Sequence, residues 1–167
     1  LPITLSILYI QLGKSIGLDL QGVNMPGRYV VKHLDGKTEK YIDVFDGGKI
    51  YEADELPQLV LDVTGKFWKA DSLEIATDKS TYLRVVQNLF GNAERKSDRE
   101  AQLEYVNLML AVDPQSVSNR GMRAVLRMET GRKKAAIADL NWIIEQEPEG
   151  IDLDRIYEMR AAFERSR

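Results

Sequence analysis

The sequence predicts an α+β fold, in which a small half built from a helix and antiparallel strands precedes a wholly helical half. Two observations predict the first half: apolar residues at helical spacing over residues 3–16, and two extended segments joined by the turn Asp35-Gly36. A third observation predicts the second half, because its apolar residues recur at helical spacing without strand signals. We therefore predict a core of residues 1–80 and a helical domain of residues 81–167.

The composition excludes several classes of function. The 167 residues carry a net charge of −3, so charge alone does not favour nucleic acid or an anionic membrane surface as a partner. There is no cysteine and one histidine, which excludes disulfides, a thiolate nucleophile and a multi-histidine metal site within the chain. We expect no cofactor, no bound metal and a cytoplasmic location, while the oligomeric state stays open.

The first element is an apolar helix over residues 3–16, with Pro2 in its first turn and Gly17 at its end. Proline suits the first turn because its missing N–H would have no partner there. The apolar residues cover a broad face, so we expect this helix to lie on the sheet. The numbered chain begins abruptly on this helix, and we therefore expect that it is a fragment whose core is truncated at the N-terminus.

The next elements are extended segments over residues 18–23, 28–34 and 40–45. Alternation along the second segment predicts two faces. One face carries Arg28, Val30, Lys32 and Leu34, and the other carries Tyr29, Val31 and His33. Residues 50 and 51 are expected to lead into a helix over residues 53–63, and the Phe67-Trp68 pair is expected to be buried.

Five helices are predicted in the second half, over residues 81–95, 99–112, 116–129, 133–146 and 152–165. Asp113-Pro114 recurs as Glu147-Pro148 after 34 residues, and Ala124 lies 12 residues before Ala136. Small residues at that spacing let two helices pack closely. Residues 117–150 therefore resemble a tetratricopeptide repeat, and residues 83–116 resemble a degenerate one, in which Phe90 and Gln102 replace small residues. A generic helical bundle remains the alternative.

The order of a core helix, a strand and a two-stranded ribbon resembles a papain-type, transglutaminase-like core. The stretches LPITLSILY, GLDLQGVNMPGRYVVK and YIDVFDGG closely resemble the SirB-type transglutaminase-like family, which joins this core to a tetratricopeptide-like tail. The resemblance covers nearly the whole chain. In active relatives it implies a cysteine nucleophile at the start of the helix, a histidine base on one strand and an orienting aspartate on the next.

The resemblance places these three roles on Pro2, Arg28 and Asp43. Proline has no nucleophile, and arginine stays protonated, so it cannot act as a general base. Asp43 matches the orienting aspartate. Opposite charges on neighbouring strands favour an Arg28–Asp43 ion pair over an Arg28 that points into solvent. His33 is expected on the opposite face, where it could not replace Arg28.

The sequence therefore favours a non-catalytic interaction or regulatory module, a pseudoenzyme whose helical repeats bind a protein or peptide partner. The runner-up is a residual amide hydrolase or acyltransferase, using a nucleophile from upstream or a hydroxyl such as Thr4 or Ser6. A purely structural, oligomerising domain is a third alternative.

Overall fold

The structure is a computed structural model that describes residues 2–36, 38–69 and 73–166. The chain divides into two compact units, Leu1–Val85 and Val86–Arg167. The first unit combines helices with an antiparallel sheet and the second is helical, so the predicted α+β fold is confirmed.

Within the described residues, the first unit holds a four-stranded antiparallel sheet in the order β1-β2-β3-β4. Its elements are α1 (Pro2–Ser15), β1 (Leu20–Met25), β2 (Arg28–Asp35), β3 (Thr38–Asp43), β4 (Lys49–Tyr51), a 3-10 turn (Ala53–Glu55) and α2 (Leu56–Thr64). Each strand pairs with the next one along the chain in an antiparallel register.

The fourth strand was not expected, because three residues are too few to show an alternating pattern. It is brought back beside β3 by a tight turn, in which the backbone N–H of Gly48 donates to the Asp43 carbonyl over 3.0 Å. Gly47 and Gly48 have φ values of 65° and 82°, which glycine adopts without steric cost. The helix predicted over residues 53–63 is the 3-10 turn followed by α2.

The two faces of the sheet support two separate hydrophobic clusters. The cluster on the α2 side contains Val23, Met25, Val30, Tyr41, Tyr51, Leu56, Leu59 and Val60. The cluster on the α1 side contains Ile3, Ile10, Leu20, Tyr29, Val31 and Ile42. Val30 and Val31 therefore belong to opposite faces, as the alternation in β2 predicts.

A close approach inside this unit requires a glycine in β1. A Cβ atom on Gly22 would lie 1.9 Å from the hydroxyl oxygen of Tyr29, which lies on β2 two residues before Val31, the strand partner of Gly22. The Tyr29 hydroxyl is itself held 3.0 Å from the hydroxyl of Thr81. Any larger residue at position 22 would displace this aromatic ring.

The expected burial of the Phe67-Trp68 pair is wrong for the first residue. Phe67 is 93% exposed, whereas Trp68 is partly buried against the cluster on the α2 side of the sheet. The two residues follow the end of α2 in a segment without regular secondary structure. One ring therefore reaches the core and the other does not.

The helical array comprises α3 (Asp78–Arg95), α4 (Arg99–Val112), α5 (Val117–Glu129), α6 (Lys133–Gln146) and α7 (Leu153–Arg165). The boundary between the two units falls within α3. Side chains of Asp98, Ser116 and Asp152 cap α4, α5 and α7 by accepting backbone N–H groups three residues later. These local signals explain why the predicted helix limits agree closely with the observed ones.

The two alanines that suggested a repeat lie where two helices pack. Ala124 of α5 and Ala136 of α6 are both 0% exposed. Ala124 joins Leu140 and Ile143 in a cluster against which residues of α7 also pack. The consecutive helices of this unit form a tetratricopeptide-like array.

No helix among the described residues is long and apolar enough to cross a membrane.

Candidate functional site

Arg28 and Asp43 approach each other across the sheet. Arg28 is the first residue of β2 and Asp43 is the last residue of β3, and the two strands pair in a register that sets Val31 opposite Ile42. The Nε atom of Arg28 lies 3.2 Å from Oδ2 of Asp43. The Arg28 side chain is 23% exposed and that of Asp43 is 1% exposed. The ion pair favoured by the sequence is therefore present.

The pair is a charge contact rather than an aligned hydrogen bond. Among the described residues, neither the Nε atom of Arg28 nor Oδ2 of Asp43 has a hydrogen-bond partner, although both atoms are buried. The Arg28 guanidinium also lies 5.7 Å from the centre of the Phe45 ring, within the range of a cation–π contact. Because an unpaired buried charge destabilises the folded state, the positive charge of Arg28 stabilises the buried Asp43 carboxylate.

The other oxygen of Asp43 holds the turn that follows β3. Its Oδ1 atom accepts the backbone N–H groups of Phe45 and Asp46 over 3.0 and 3.2 Å. Aspartate commonly caps its own turn in this way. Asp43 therefore has a structural role on each of its oxygens, one toward the turn and one toward Arg28.

For Pro2, the residue that the family resemblance places at the nucleophile position, the structure describes the backbone but not the side chain. Pro2 begins α1. Of the two hydroxyls considered as substitutes, Ser6 is 0% exposed and donates to the backbone carbonyl of Tyr29 over 3.3 Å. Thr4 is exposed. The Ser6 hydroxyl is thus shielded from solvent.

His33 lies away from the Arg28–Asp43 pair. It sits opposite Leu20 and Lys40 in the sheet, and its Nδ1 atom is 3.4 Å from the Asp19 carbonyl oxygen. It follows the same alternation as Val31, whose side chain belongs to the α1 side.

No cluster of three metal-ligating side chains occurs within residues 2–36, 38–69 and 73–166.

One ionisable side chain near the site has a strongly shifted pKa. Burial, together with the hydrogen bond to Glu39 and the charge of Glu39, raises the pKa of Tyr41 to about 12. The Tyr41 hydroxyl donates to Glu39 Oε2 over 2.8 Å, while Lys32 Nζ lies 2.5 Å from the other oxygen. Tyr41 is therefore a neutral donor at physiological pH and a poor base.

Sequence reasoning missed a second polar cluster, in the helical unit. Asp139 is 2% exposed, and three arginines of α5 surround its carboxylate. The spacing of Arg120, Arg123 and Arg127 along one helix face was a visible signal. An aspartate on the otherwise apolar face of α6 was another.

Comparison with known proteins agrees with these two units. Residues 1–87 match the transglutaminase-like superfamily, and residues 89–161 match the tetratricopeptide repeat family. The chain belongs to the transglutaminase-like superfamily, with a tetratricopeptide region after the core.

Curated relatives are distant. A UPF0162 protein of Xylella fastidiosa is 23% identical over 163 residues, which cover 93% of this chain and 57% of the relative. F-box only protein 21 of Homo sapiens is 27% identical over 142 residues, which cover 78% of this chain and 22% of that protein. The chain thus spans about half the length of the bacterial relative. No solved structure gave a significant match.

Proposed function

We propose that this chain is a non-catalytic interaction module, in which a transglutaminase-like unit without a working triad accompanies a helical scaffold that binds a protein or peptide. A transglutaminase-like domain followed by tetratricopeptide repeats fits a protein-interaction module in general. The loss of catalysis and the pseudoenzyme role are the further steps that we propose.

The Arg28–Asp43 contact is the observation that supports this proposal. A general base must accept a proton, and a guanidinium remains fully protonated at any physiological pH. Asp43 is 1% exposed and contacts Arg28 and the turn after β3. Asp43, at the position of the orienting carboxylate in the family, therefore contacts the positively charged Arg28 where active relatives have a histidine base.

The relatives support a transferable module. Most of this chain aligns both with a bacterial UPF0162 protein and with a much longer mammalian F-box only protein. A segment that occurs in proteins of such different length behaves as a unit combined with other parts.

We further propose that the chain is of the SirB type and acts in the cytoplasm, which fractionation of the source cells would check.

The absence of catalysis is tested with a hydroxyl-directed fluorophosphonate probe on the whole chain, read by intact-protein mass spectrometry. We expect no stoichiometric adduct on the wild type. The Asp43→Ala variant tests dependence on the site, and Asp46→Ala is its matched control, because Asp46 is an exposed neighbour. An adduct at one residue that Asp43→Ala abolishes and Asp46→Ala keeps would establish the enzyme alternative instead.

Binding is tested by selecting random twelve-residue peptides, displayed on phage, against the immobilised whole chain. We expect enrichment of a related set of peptides that bind the purified chain in solution. Failure to enrich any sequence, together with concentration-dependent light scattering of the free chain, would favour the structural, oligomerising alternative.

A further inference from the structure

Three arginines line one face of α5. Arg120, Arg123 and Arg127 are separated by three and four residues, so they lie on the same side of the helix. Their side chains are 17%, 15% and 22% exposed, so each is mostly buried but keeps some contact with solvent. The face is therefore neither a solvated surface nor a closed core.

Asp139 of α6 is the carboxylate on which these arginines converge. Arg123 binds it with two parallel bonds, Nε to Oδ2 over 2.9 Å and Nη2 to Oδ1 over 2.6 Å. Arg127 donates from Nη1 to Oδ2 over 2.7 Å. Arg120 stands farther off, with Nη1 3.6 Å from Oδ1. This arrangement suits a carboxylate, because guanidinium forks match its geometry.

The cluster carries more positive charge than it neutralises. Within the described residues 73–166, the cluster contains three guanidiniums and one carboxylate, so its net charge is two positive charges. The neighbouring helix α4 contributes only the neutral side-chain amide of Asn107, whose oxygen accepts a hydrogen bond from Arg123 over 3.2 Å. Burial lowers the pKa of Arg120, and the charge of Arg123 lowers it further against the opposing effect of Asp139. Arg120 is the least closely paired of the three, because its Nη1 atom lies 3.6 Å from the Asp139 carboxylate, whereas Arg123 and Arg127 approach it to 2.6 and 2.7 Å.

Arg120 is also held in place while its bonding capacity is incompletely used. Its guanidinium lies 3.8 Å from the centre of the Trp142 ring, and Nη2 donates to the Pro114 carbonyl over 2.9 Å. Its Nε atom is buried without a hydrogen-bond partner in the described part of the chain. Stacking fixes a planar cation at low entropic cost, which prepares it for a ligand.

We propose that the Arg120–Arg123–Arg127 face of α5 binds a carboxylate-rich segment, containing Asp or Glu side chains, of a protein partner. This inference rests on the proposed interaction function and names the chemistry of the partner. The ligand carboxylate adds a second acceptor beside Asp139 and neutralises part of the surplus charge. Arg120 makes the main contact, because Arg123 and Arg127 are already engaged with Asp139.

A carboxylate partner fits better than a nucleic acid. The whole chain has a net charge of −3, which opposes a long polyanion but not a short acidic segment that reaches a local positive site. The carboxylate of Asp139, already held by the same arginines, has the same shape as the proposed ligand. A purely structural role for the cluster would leave binding independent of Arg120.

The test uses the peptides selected on the whole chain, resynthesised with a fluorescent label and measured by anisotropy. We expect the selected set to be rich in Asp and Glu, and replacement of those residues by Asn and Gln to abolish binding. Arg120→Gln should weaken binding about tenfold or more, while Arg120→Lys should have an intermediate effect. Lys134→Gln is the matched control, because it removes one exposed positive charge from α6 and should leave binding unchanged.

Trp142 provides a second, local readout. In a Trp68→Phe background the remaining tryptophan is the one that stacks on Arg120. Its emission should change as the acidic peptide is added, and circular dichroism would verify that each variant is folded. Selected peptides that are not acidic, tighter binding of a single-stranded RNA, or equal affinity of Arg120→Gln and wild type would overturn this inference while leaving an interaction function standing. Enrichment of no peptide would contradict both.

Discussion

Arg28 Nε lies 3.2 Å from Asp43 Oδ2, joining the first residue of β2 to the last residue of β3. The carboxylate is 1% exposed and the arginine 23% exposed, so the pair lies at the edge of the buried region. If Asp43 is replaced, the partly exposed Arg28 can be solvated by water, whereas the buried Asp43 cannot be solvated if Arg28 is replaced. The two single substitutions should therefore lower the free energy of unfolding by different amounts.

Removing the positive partner should cost more than removing the negative charge. Arg28→Met leaves a buried carboxylate unpaired, and we expect a loss of about 1–3 kcal/mol in unfolding free energy. Asp43→Asn keeps an oxygen for the turn and leaves only a partly exposed arginine, so we expect a loss of about 1 kcal/mol. Urea denaturation in a Trp142→Phe background follows this unit through Trp68.

The double variant of Arg28→Met and Asp43→Asn completes the cycle. We expect it to be less destabilised than the sum of the single variants, by about 0.5 kcal/mol or more. Strict additivity would show that the two side chains do not interact in solution.

A second prediction concerns Asp139 in the helical unit. Asp139→Asn removes the shared counterion of three arginines, and we expect a loss of about 2–4 kcal/mol, reduced from the cost of a fully buried pair because the arginines are partly exposed. Added salt should recover part of the loss by screening the repulsion among the guanidiniums. Thermal unfolding by circular dichroism at low and high salt measures both effects.

The control for Asp139 is Glu145→Gln, which removes an exposed carboxylate from the same helix. Its effect should stay within about 0.5 kcal/mol. Comparable losses in the two variants would mean that the cluster contributes no more than a surface charge.

A glycine in α5 offers a change in the opposite direction. Gly121 lies inside the helix, and a Cβ atom there would meet its nearest neighbour, Ile143 Cδ1, at 3.8 Å, which is ordinary contact. Gly121→Ala should therefore stabilise the chain by about 0.5–1 kcal/mol through helix propensity and a less flexible unfolded state. The shift in urea midpoint measures this.

Gly22→Ala provides the contrast for that experiment. There the added methyl group would meet Tyr29, so we expect destabilisation of about 1–3 kcal/mol. If both alanines destabilised the chain, packing around Gly121 in solution would have to be tighter than the structure describes.

The last prediction concerns alkaline pH. Burial raises the pKa of Tyr41 from 10.0 to about 12, so the unfolded chain loses this proton at a pH where the folded chain keeps it. The contribution of Tyr41 to stability is therefore full below about pH 10 and is lost as the pH rises toward 12. Tyr41→Phe should show a smaller loss of stability between pH 9 and about pH 11 than wild type, measured by denaturant titration at each pH. An identical loss in the two proteins would refute the assignment.

The amino-acid sequence by itself determined most of the secondary structure. Helical and strand periodicity, the caps Asp98, Ser116 and Asp152, and the spacing of Ala124 and Ala136 are local signals, and each reports the conformation of the residues that carry it. The alternation along β2 likewise places Val30 and Val31 on opposite faces, independently of the residues that they contact. For these features the physical cause lies within a few residues of the chain.

Only the tertiary structure decided how distant side chains meet. The pairing of β4 with β3, the exposure of Phe67 and the convergence of three arginines on Asp139 depend on register and on helix packing. The sequence favoured the Arg28–Asp43 pair, but the 3.2 Å distance and the burial of one partner follow from the strand register. Such contacts join residues far apart along the chain, so local periodicity does not specify them.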